Sequence, residues 1–285
     1  MKQKGVLTLY RDIKVLIFDL DGTLYEDTDH FDFYAEKLCE KIHPDHQEAF
    51  KADYEAILKG EHPLRMGMSY DTVEDVIIKH FDGKITEVYQ WNGEKVPDHQ
   101  LAKWTNHPLQ HDYYSFLHIG DLWWVPAAIA RHYGISKELA ERAFLETREF
   151  MMTPAFNMAE LNGFKESLEE LSLHKNLVLL TNSPQKDSEV ILLKLGFSDY
   201  FECKIFNGQK PIQTKHHINK IKEKYRVDYK NILCIGDNAI NDILPAQELG
   251  CKTLLVDPHN ISASSDADVI VRNLPEMLGE LKKLF

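Results

Sequence analysis

A three-layer α/β core with a parallel sheet, interrupted by a long and mainly helical insert, is the fold the sequence predicts. Three observations carry it. Short apolar runs end in polar residues at Val15–Phe18, Asn176–Leu180 and Asn231–Ile235. From Leu161 onward such strands alternate with helical segments, the arrangement expected of a parallel sheet covered by helices. Between Tyr25 and Thr153 the alternation stops and helical periodicity replaces it.

The first run, Val15-Leu16-Ile17-Phe18, delivers Asp19, Leu20, Asp21, Gly22 and Thr23 onto a turn. Side chains alternate along a strand, so Asp19 and Asp21 face one way while Leu20 faces the protein body. Two carboxylates held together repel and need a cation or a shared proton to coexist. Mg²⁺, a hard ion that prefers oxygen ligands, is the expected solution. With the charge offset, one carboxylate is suited to nucleophilic attack and the other to general acid–base work.

Within the insert, Asp29–Ile42 reads as a helix ended by His43-Pro44. Asp45–Lys59 follows, with Pro44 at its start and Gly60 as its cap. Thr72–Phe81 and Ser136–Met152 also read as helices. Ile85–Trp91 alternates and runs into Asn92-Gly93, a strong hairpin signal. Residues 97–120, rich in His, Pro, Tyr and Trp, resist assignment. His107 and His111 have the spacing of a metal-binding pair on a helix. Pro108 interrupts that helix and no acidic or cysteine ligand set accompanies the pair, so packing or surface placement is expected. Trp91, Trp104, Trp123 and Trp124 are expected in the core rather than as a stacking platform for a base or sugar.

The core resumes with Asn176–Leu180, which ends in Thr181-Asn182-Ser183. A hydroxyl and an amide at a strand end suit a phosphate oxygen, and backbone N–H groups of the following turn can join them. Gly208-Gln209-Lys210-Pro211 then puts a lysine in a loop before a helix. Asn231–Ile235 runs into Gly236-Asp237-Asn238-Ala239-Ile240-Asn241-Asp242. Ligands of open parallel sheets bind at the carboxyl ends of strands, so these segments are placed to converge on one crevice. Strands are expected at Ile205 and Leu255 as well. Gly196 and Gly250 stop helices, Asp268–Val271 is the last strand and Pro275–Leu284 the last helix.

Composition sets limits. A chain of 285 residues holds one large domain or two moderate ones, and its net charge of −12 argues against nucleic acid or anionic membranes as partners. The four cysteines are scattered without a Cys-x-x-Cys pair, and Cys234 lies inside an apolar strand. Met1-Lys2-Gln3-Lys4 is polar and no apolar run approaches membrane-spanning length. A reducing cytoplasm is therefore the expected setting. Nothing in the sequence sets the oligomeric state.

The motifs in this order resemble those of the haloacid dehalogenase superfamily of phosphohydrolases. Asp19-Leu20-Asp21-Gly22-Thr23 is similar to its first motif, Thr181 to its second, Lys210 to its third and Gly236-Asp237…Asp242 to its fourth. The likeness covers residues 12–25 and 160–275. It implies a Rossmann-like catalytic core of residues 1–24 and 155–285, with residues 25–154 as an inserted helical cap. In members with a cap at this place, the cap closes over the core site and supplies substrate contacts. This insert is longer than usual for that cap type, around the hairpin and the aromatic segment.

The resemblance also implies roles. Asp19 becomes the nucleophile that forms an aspartyl-phosphate, and Asp21 the acid that protonates the leaving alkoxide and then activates water. Mg²⁺ is held by the carboxylates of Asp19 and Asp237 and the backbone carbonyl of Asp21. Asp242 acts through a metal-bound water or by orienting Lys210. Lys210 pairs with the nucleophile and the phosphate, with Lys215 as the alternative. Thr181 and the N–H of Asn182 bind a phosphoryl oxygen, and Thr23 fixes the turn.

Haloalkanoate dehalogenation expels halide and needs no proton donor, so Asp21 points to phosphoryl transfer instead. The expected activity is a Mg²⁺-dependent phosphatase acting on a small phosphorylated metabolite, such as a sugar phosphate, phosphoglycolate or a nucleoside monophosphate. A phosphomutase would use the same core. A non-catalytic binding module is the third reading, disfavoured by the presence of Asp19, Asp21, Lys210 and Asp237 together.

Overall fold

The structure is a computed structural model that describes residues 10–25, 29–81, 84–105, 114–156, 158, 161–258 and 267–285. The chain forms two compact units, one of Met1–Asp27 with Met151–Phe285 and one of Thr28–Phe150. In chain order the strands are β1 (Val15–Phe18), β2 (Ser69–Asp71), β3 (Val76–Phe81), β4 (Lys84–Gln90), β5 (Phe116–His118), β6 (Asn176–Leu180), β7 (Cys203–Ile205), β8 (Ile232–Gly236), β9 (Lys252–Val256) and β10 (Val269–Val271). Among the described residues no helix is long and apolar enough to cross a membrane.

The discontinuous unit is built on a six-stranded parallel sheet in the order β10-β9-β8-β1-β6-β7. All four residues of β1 are buried, as a strand covered on both faces requires. Counted along the chain, the strands of this sheet run 3-2-1-4-5-6, the doubly wound order. Chain direction across the sheet reverses between β1 and β8. In register, Phe18 stands opposite Leu179 of β6 and Ile235 of β8, so the ends of these three strands lie side by side.

The helices of this unit end where the sequence predicts. Helix Gln185–Leu195 stops at Gly196 (φ +70°) and Leu244–Leu249 at Gly250 (φ +87°), both left-handed. The last helix is Leu274–Leu281, capped by the Asn273 side chain accepting from Glu276 N–H, and continues as a 3₁₀ turn to Leu284. Cys234, within β8, is 3 % exposed and packs in the core.

The other unit contains helices Asp29–Cys39, Pro44–Leu58, Ala102–Thr105 and Trp124–His132 and an antiparallel sheet in the order β4-β3-β2-β5. Helix Lys137–Met152 carries the chain back to the core unit. The helix expected over Thr72–Phe81 is absent. Instead Asp71 Oδ1 accepts the N–H groups of Val73 (3.0 Å) and Glu74 (3.1 Å), closing a turn. The β-branched run Val76-Ile77-Ile78 then pairs with β2 on one side and β4 on the other. Two-sided pairing in a sheet outweighs the helical spacing of the local sequence. Asn92-Gly93 does turn the chain, with Gly93 at φ +88°, but its return arm is limited to the single bridge Tyr89↔Lys95. β4 pairs along its length with β3 instead.

The four tryptophans pack against the two cores of this unit, Trp91, Trp123 and Trp124 in the larger and Trp104 in the smaller. His107 and His111, with their expected spacing, lie outside the described residues.

Candidate active site

Asp19 is the first residue beyond β1, and its N–H donates to Ile235 O at 3.0 Å, locking it against β8. Leu20 is fully buried, as strand alternation predicts. The chain then folds tightly: Leu24 N–H donates to Leu20 O at 2.9 Å and Thr23 N–H to the same oxygen at 3.3 Å. Thr23 is buried inside this turn. Gly22 sits at φ +71°, and a Cβ there would lie 2.8 Å from Asp237 Cγ. The position therefore needs glycine twice over, for its backbone and for the carboxylate beside it.

Asp237 and Asp242 are delivered by the end of β8. Asn238 caps the following turn, its side chain accepting from Ile240 N–H (3.2 Å) and Asn241 N–H (3.1 Å). That turn, Ala239–Ile243, folds Asp242 back toward the strand end, where it accepts the Asn238 N–H at 3.3 Å. A Cβ on Gly236 would stand 2.6 Å from Asp242 Cβ, so a second glycine makes room for a second carboxylate.

Lys210 comes from the loop after β7 and is 1 % exposed. Its N–H donates to Asn182 Oδ1 at 2.7 Å, and Asn182 Nδ2 donates back to Lys210 O at 3.0 Å. The Asn182 side chain thus anchors the lysine loop to the end of β6. Lys210 Nζ reaches Asp19 Oδ1 at 2.8 Å and Asp242 Oδ1 at 2.6 Å. Lys215, the alternative lysine, pairs with Glu248 at the surface. Thr181 is buried at the end of β6, and its Oγ1 accepts the Ser183 N–H at 3.1 Å.

The structure brings one carboxylate oxygen each from Asp19, Asp237 and Asp242 within 4.8 Å of one another. Burial, together with the charges of Asp242 and Asp21, pushes the Asp19 carboxyl up to about 7 against the pull of Lys210. Burial works against the Lys210 ammonium, yet Asp19 and Asp242 hold its pKa above the ordinary lysine value. Asp19 and Asp242 thus flank one buried ammonium, with Asp237 beside them, while the Asp21 side chain is held by other partners. An all-oxygen donor set with excess negative charge fits a hard divalent cation such as Mg²⁺.

Two contacts at Asp21 escaped the sequence reading. Tyr25 Oη donates to Asp21 Oδ1, and Ser183 Oγ donates to Asp21 Oδ2 at 2.6 Å. Ser183 lies two residues beyond Thr181, so strand alternation offered a hint of it. Tyr25 carried no signal, because its approach depends on how the turn folds.

A family model described as a haloacid dehalogenase-like hydrolase matches residues 13–250, in keeping with the resemblance carried by the motifs. The phosphoglycolate phosphatase of Vibrio parahaemolyticus is 31% identical over 167 residues, 53% of this chain and 71% of that protein. That of Vibrio vulnificus is 28% identical over 165 residues, with the same coverage of 53% and 71%. Among solved structures, the HAD-hydrolase YfnB from Bacillus subtilis, bound to magnesium, is similar in fold with a TM-score of 0.53. Its identity is 15%, over 95% of this chain and 100% of its own.

Proposed function

Because this chain belongs to the haloacid dehalogenase-like hydrolase family, we propose that it is a Mg²⁺-dependent phosphatase acting on a small soluble phosphomonoester through an aspartyl-phosphate at Asp19. The observation that carries this reading is the buried Lys210 ammonium, 2.8 Å from Asp19 and 2.6 Å from Asp242, with Asp237 alongside.

Asp19 attacks phosphorus in line with the leaving oxygen; its oxygen–phosphorus bond forms as the ester bond breaks. Lys210 favours the anionic form of the nucleophile against the effect of burial and offsets the charge of the arriving phosphate. Asp21 gives a proton to the departing alkoxide and later takes one from the water that hydrolyses the aspartyl-phosphate. The Thr181 hydroxyl, which accepts from Ser183 N–H, keeps its own O–H to donate to a phosphoryl oxygen, and the N–H of Asn182 joins it. Asp19 and Asp237 carboxylates with the Asp21 carbonyl would hold Mg²⁺, and Asp242 would act through a bound water or through Lys210. When bound, the ion shields phosphate from the surrounding acids and offsets transition-state charge.

The substrate is proposed to be a small phosphorylated metabolite. The names of the Vibrio relatives put phosphoglycolate first in the test, followed by sugar phosphates and nucleoside monophosphates. A cytoplasmic setting belongs to the same proposal, since all four cysteines are free.

The test is a phosphomonoester panel with Mg²⁺, comparing the wild type with Asp19→Asn. Phosphate release is expected to collapse in the variant and in excess chelator. Unchanged turnover by Asp19→Asn would overturn the reading. Conversion of an isomeric sugar phosphate without phosphate release would mark a mutase instead.

A further inference from the structure

We infer that Tyr25 and Ser183 are positioning residues that clamp the Asp21 carboxylate in the orientation needed for proton transfer. The inference rests on the phosphatase reading above. Its structural basis is that both oxygens of Asp21 are gripped from different parts of the core unit. Tyr25 donates to Oδ1 from four residues on, and Ser183 donates to Oδ2 at 2.6 Å from the end of β6.

Each gripping group is itself fixed. Tyr25 is 1 % exposed, and its backbone returns beside Asp21 as a bridge across the Gly22–Leu24 turn. Ser183 is buried, with its N–H on Thr181 Oγ1 and its carbonyl accepting from Asn207 N–H at 3.1 Å. Rotation of the Asp21 carboxylate about its own axis would break both bonds at once. A free aspartate would sample several rotamers, and misplacement by about 1 Å can cost about a hundred-fold in rate.

The donor types match the work. A lysine ammonium donates and never accepts, so Lys210 suits Asp19, a group that must remain an anion. Hydroxyls both donate and accept. Tyr25 and Ser183 can donate to the Asp21 carboxylate and still keep their contact when Asp21 carries a proton. A carboxylate offers about four lone-pair sites. Two donors therefore leave room for the proton that is handed over. The neighbouring acids 19 and 21 are distinguished by their partners, one held by a donor alone and the other by groups that work in both directions.

The experiment compares Tyr25→Phe and Ser183→Ala with the wild type on p-nitrophenyl phosphate and on the alkyl phosphate that wild type turns over fastest. Only the alkoxide needs a proton from Asp21 to depart. The expected result, read as kcat/KM because that ratio reports only the half-reaction in which the alcohol or phenol leaves, is a loss of about ten-fold or more on the alkyl ester and under about three-fold on the aryl ester. In an Asp21→Asn background, Tyr25→Phe should add no further loss on the alkyl ester. Equal losses on both esters, or a further loss in that background, would overturn the clamp. Tyr25→Phe removes one oxygen from a packed ring; should it fail to fold, Ser183→Ala carries the same test. No phosphate release by wild type, or unchanged release by Asp19→Asn, would instead sink the underlying phosphatase reading.

Discussion

Lys210 Nζ lies 2.8 Å from Asp19 Oδ1, with the two side chains only 2 % and 13 % exposed. A buried ion pair is poor evidence of stability, because desolvation offsets most of its attraction. Its value here is chemical. It holds an anion in place, shielded from water, at the end of a strand that sits in the middle of the sheet.

Replacing Lys210 with Met should therefore harm both activity and folding. The variant leaves Asp19 and Asp242 buried without their ammonium, so the metal-free protein should melt earlier than wild type. A loss of about 10²–10³ in kcat is expected for removing one fixed positive group from a phosphoryl-transfer site. Phosphate release and thermal melting, measured with and without Mg²⁺, check both parts.

Gly22→Ala tests the loop that carries Asp21. The new Cβ would lie 2.8 Å from Asp237 Cγ, at a residue with φ +71°. Left-handed backbone at a residue other than glycine costs about 1–3 kcal/mol. The expected result is a lower melting temperature together with weaker Mg²⁺ binding, since Asp237 must move aside. A melting shift without any change in Mg²⁺ affinity would separate backbone strain from the site.

Mg²⁺ itself should stabilise the fold. At a hundred-fold excess over its Kd, a ligand of the native state alone adds about 2.7 kcal/mol. Melting should rise with Mg²⁺ in wild type and much less in Asp237→Asn. Chelator should remove both the stabilisation and the activity. An equal rise in the two proteins would place the ion elsewhere.

The insert has its own pH dependence. His62 Nδ1 accepts the Leu64 N–H at 2.9 Å inside a buried turn, and burial pushes its pKa below the ordinary value. Asp53 opposes that shift, while His132 adds to it. A base with a lowered folded pKa binds fewer protons folded than unfolded, so its contribution is complete above about pH 6.5 and is lost as pH falls through the folded value. His62→Gln should flatten the melting profile between about pH 5 and 7 relative to wild type. An unchanged slope would assign the acid sensitivity to other groups.

What was legible in the sequence followed from local pattern. Asp19, Thr181 and Asp237 end apolar strands, and a parallel sheet aligns strand ends wherever the strands fall in the chain. Lys210 was readable from its Lys-Pro loop, although its anchor on Asn182 was not. Tyr25 and Ser183 were invisible as a pair because their meeting at Asp21 depends on the Gly22–Leu24 turn and on β6 standing beside β1. Thr72–Phe81 misled for a different reason. Its residues suit either a helix or a strand, and pairing with its two chain neighbours, β2 and β4, decides between them.

The most direct measurement is a rapid acid quench of wild-type protein turning over its best phosphomonoester with Mg²⁺, followed by peptide mapping. A phosphoryl group on the peptide that contains Asp19, labile to hydroxylamine and absent from Asp19→Asn, is the predicted result. Steady turnover with the phosphoryl group on another residue would contradict the account.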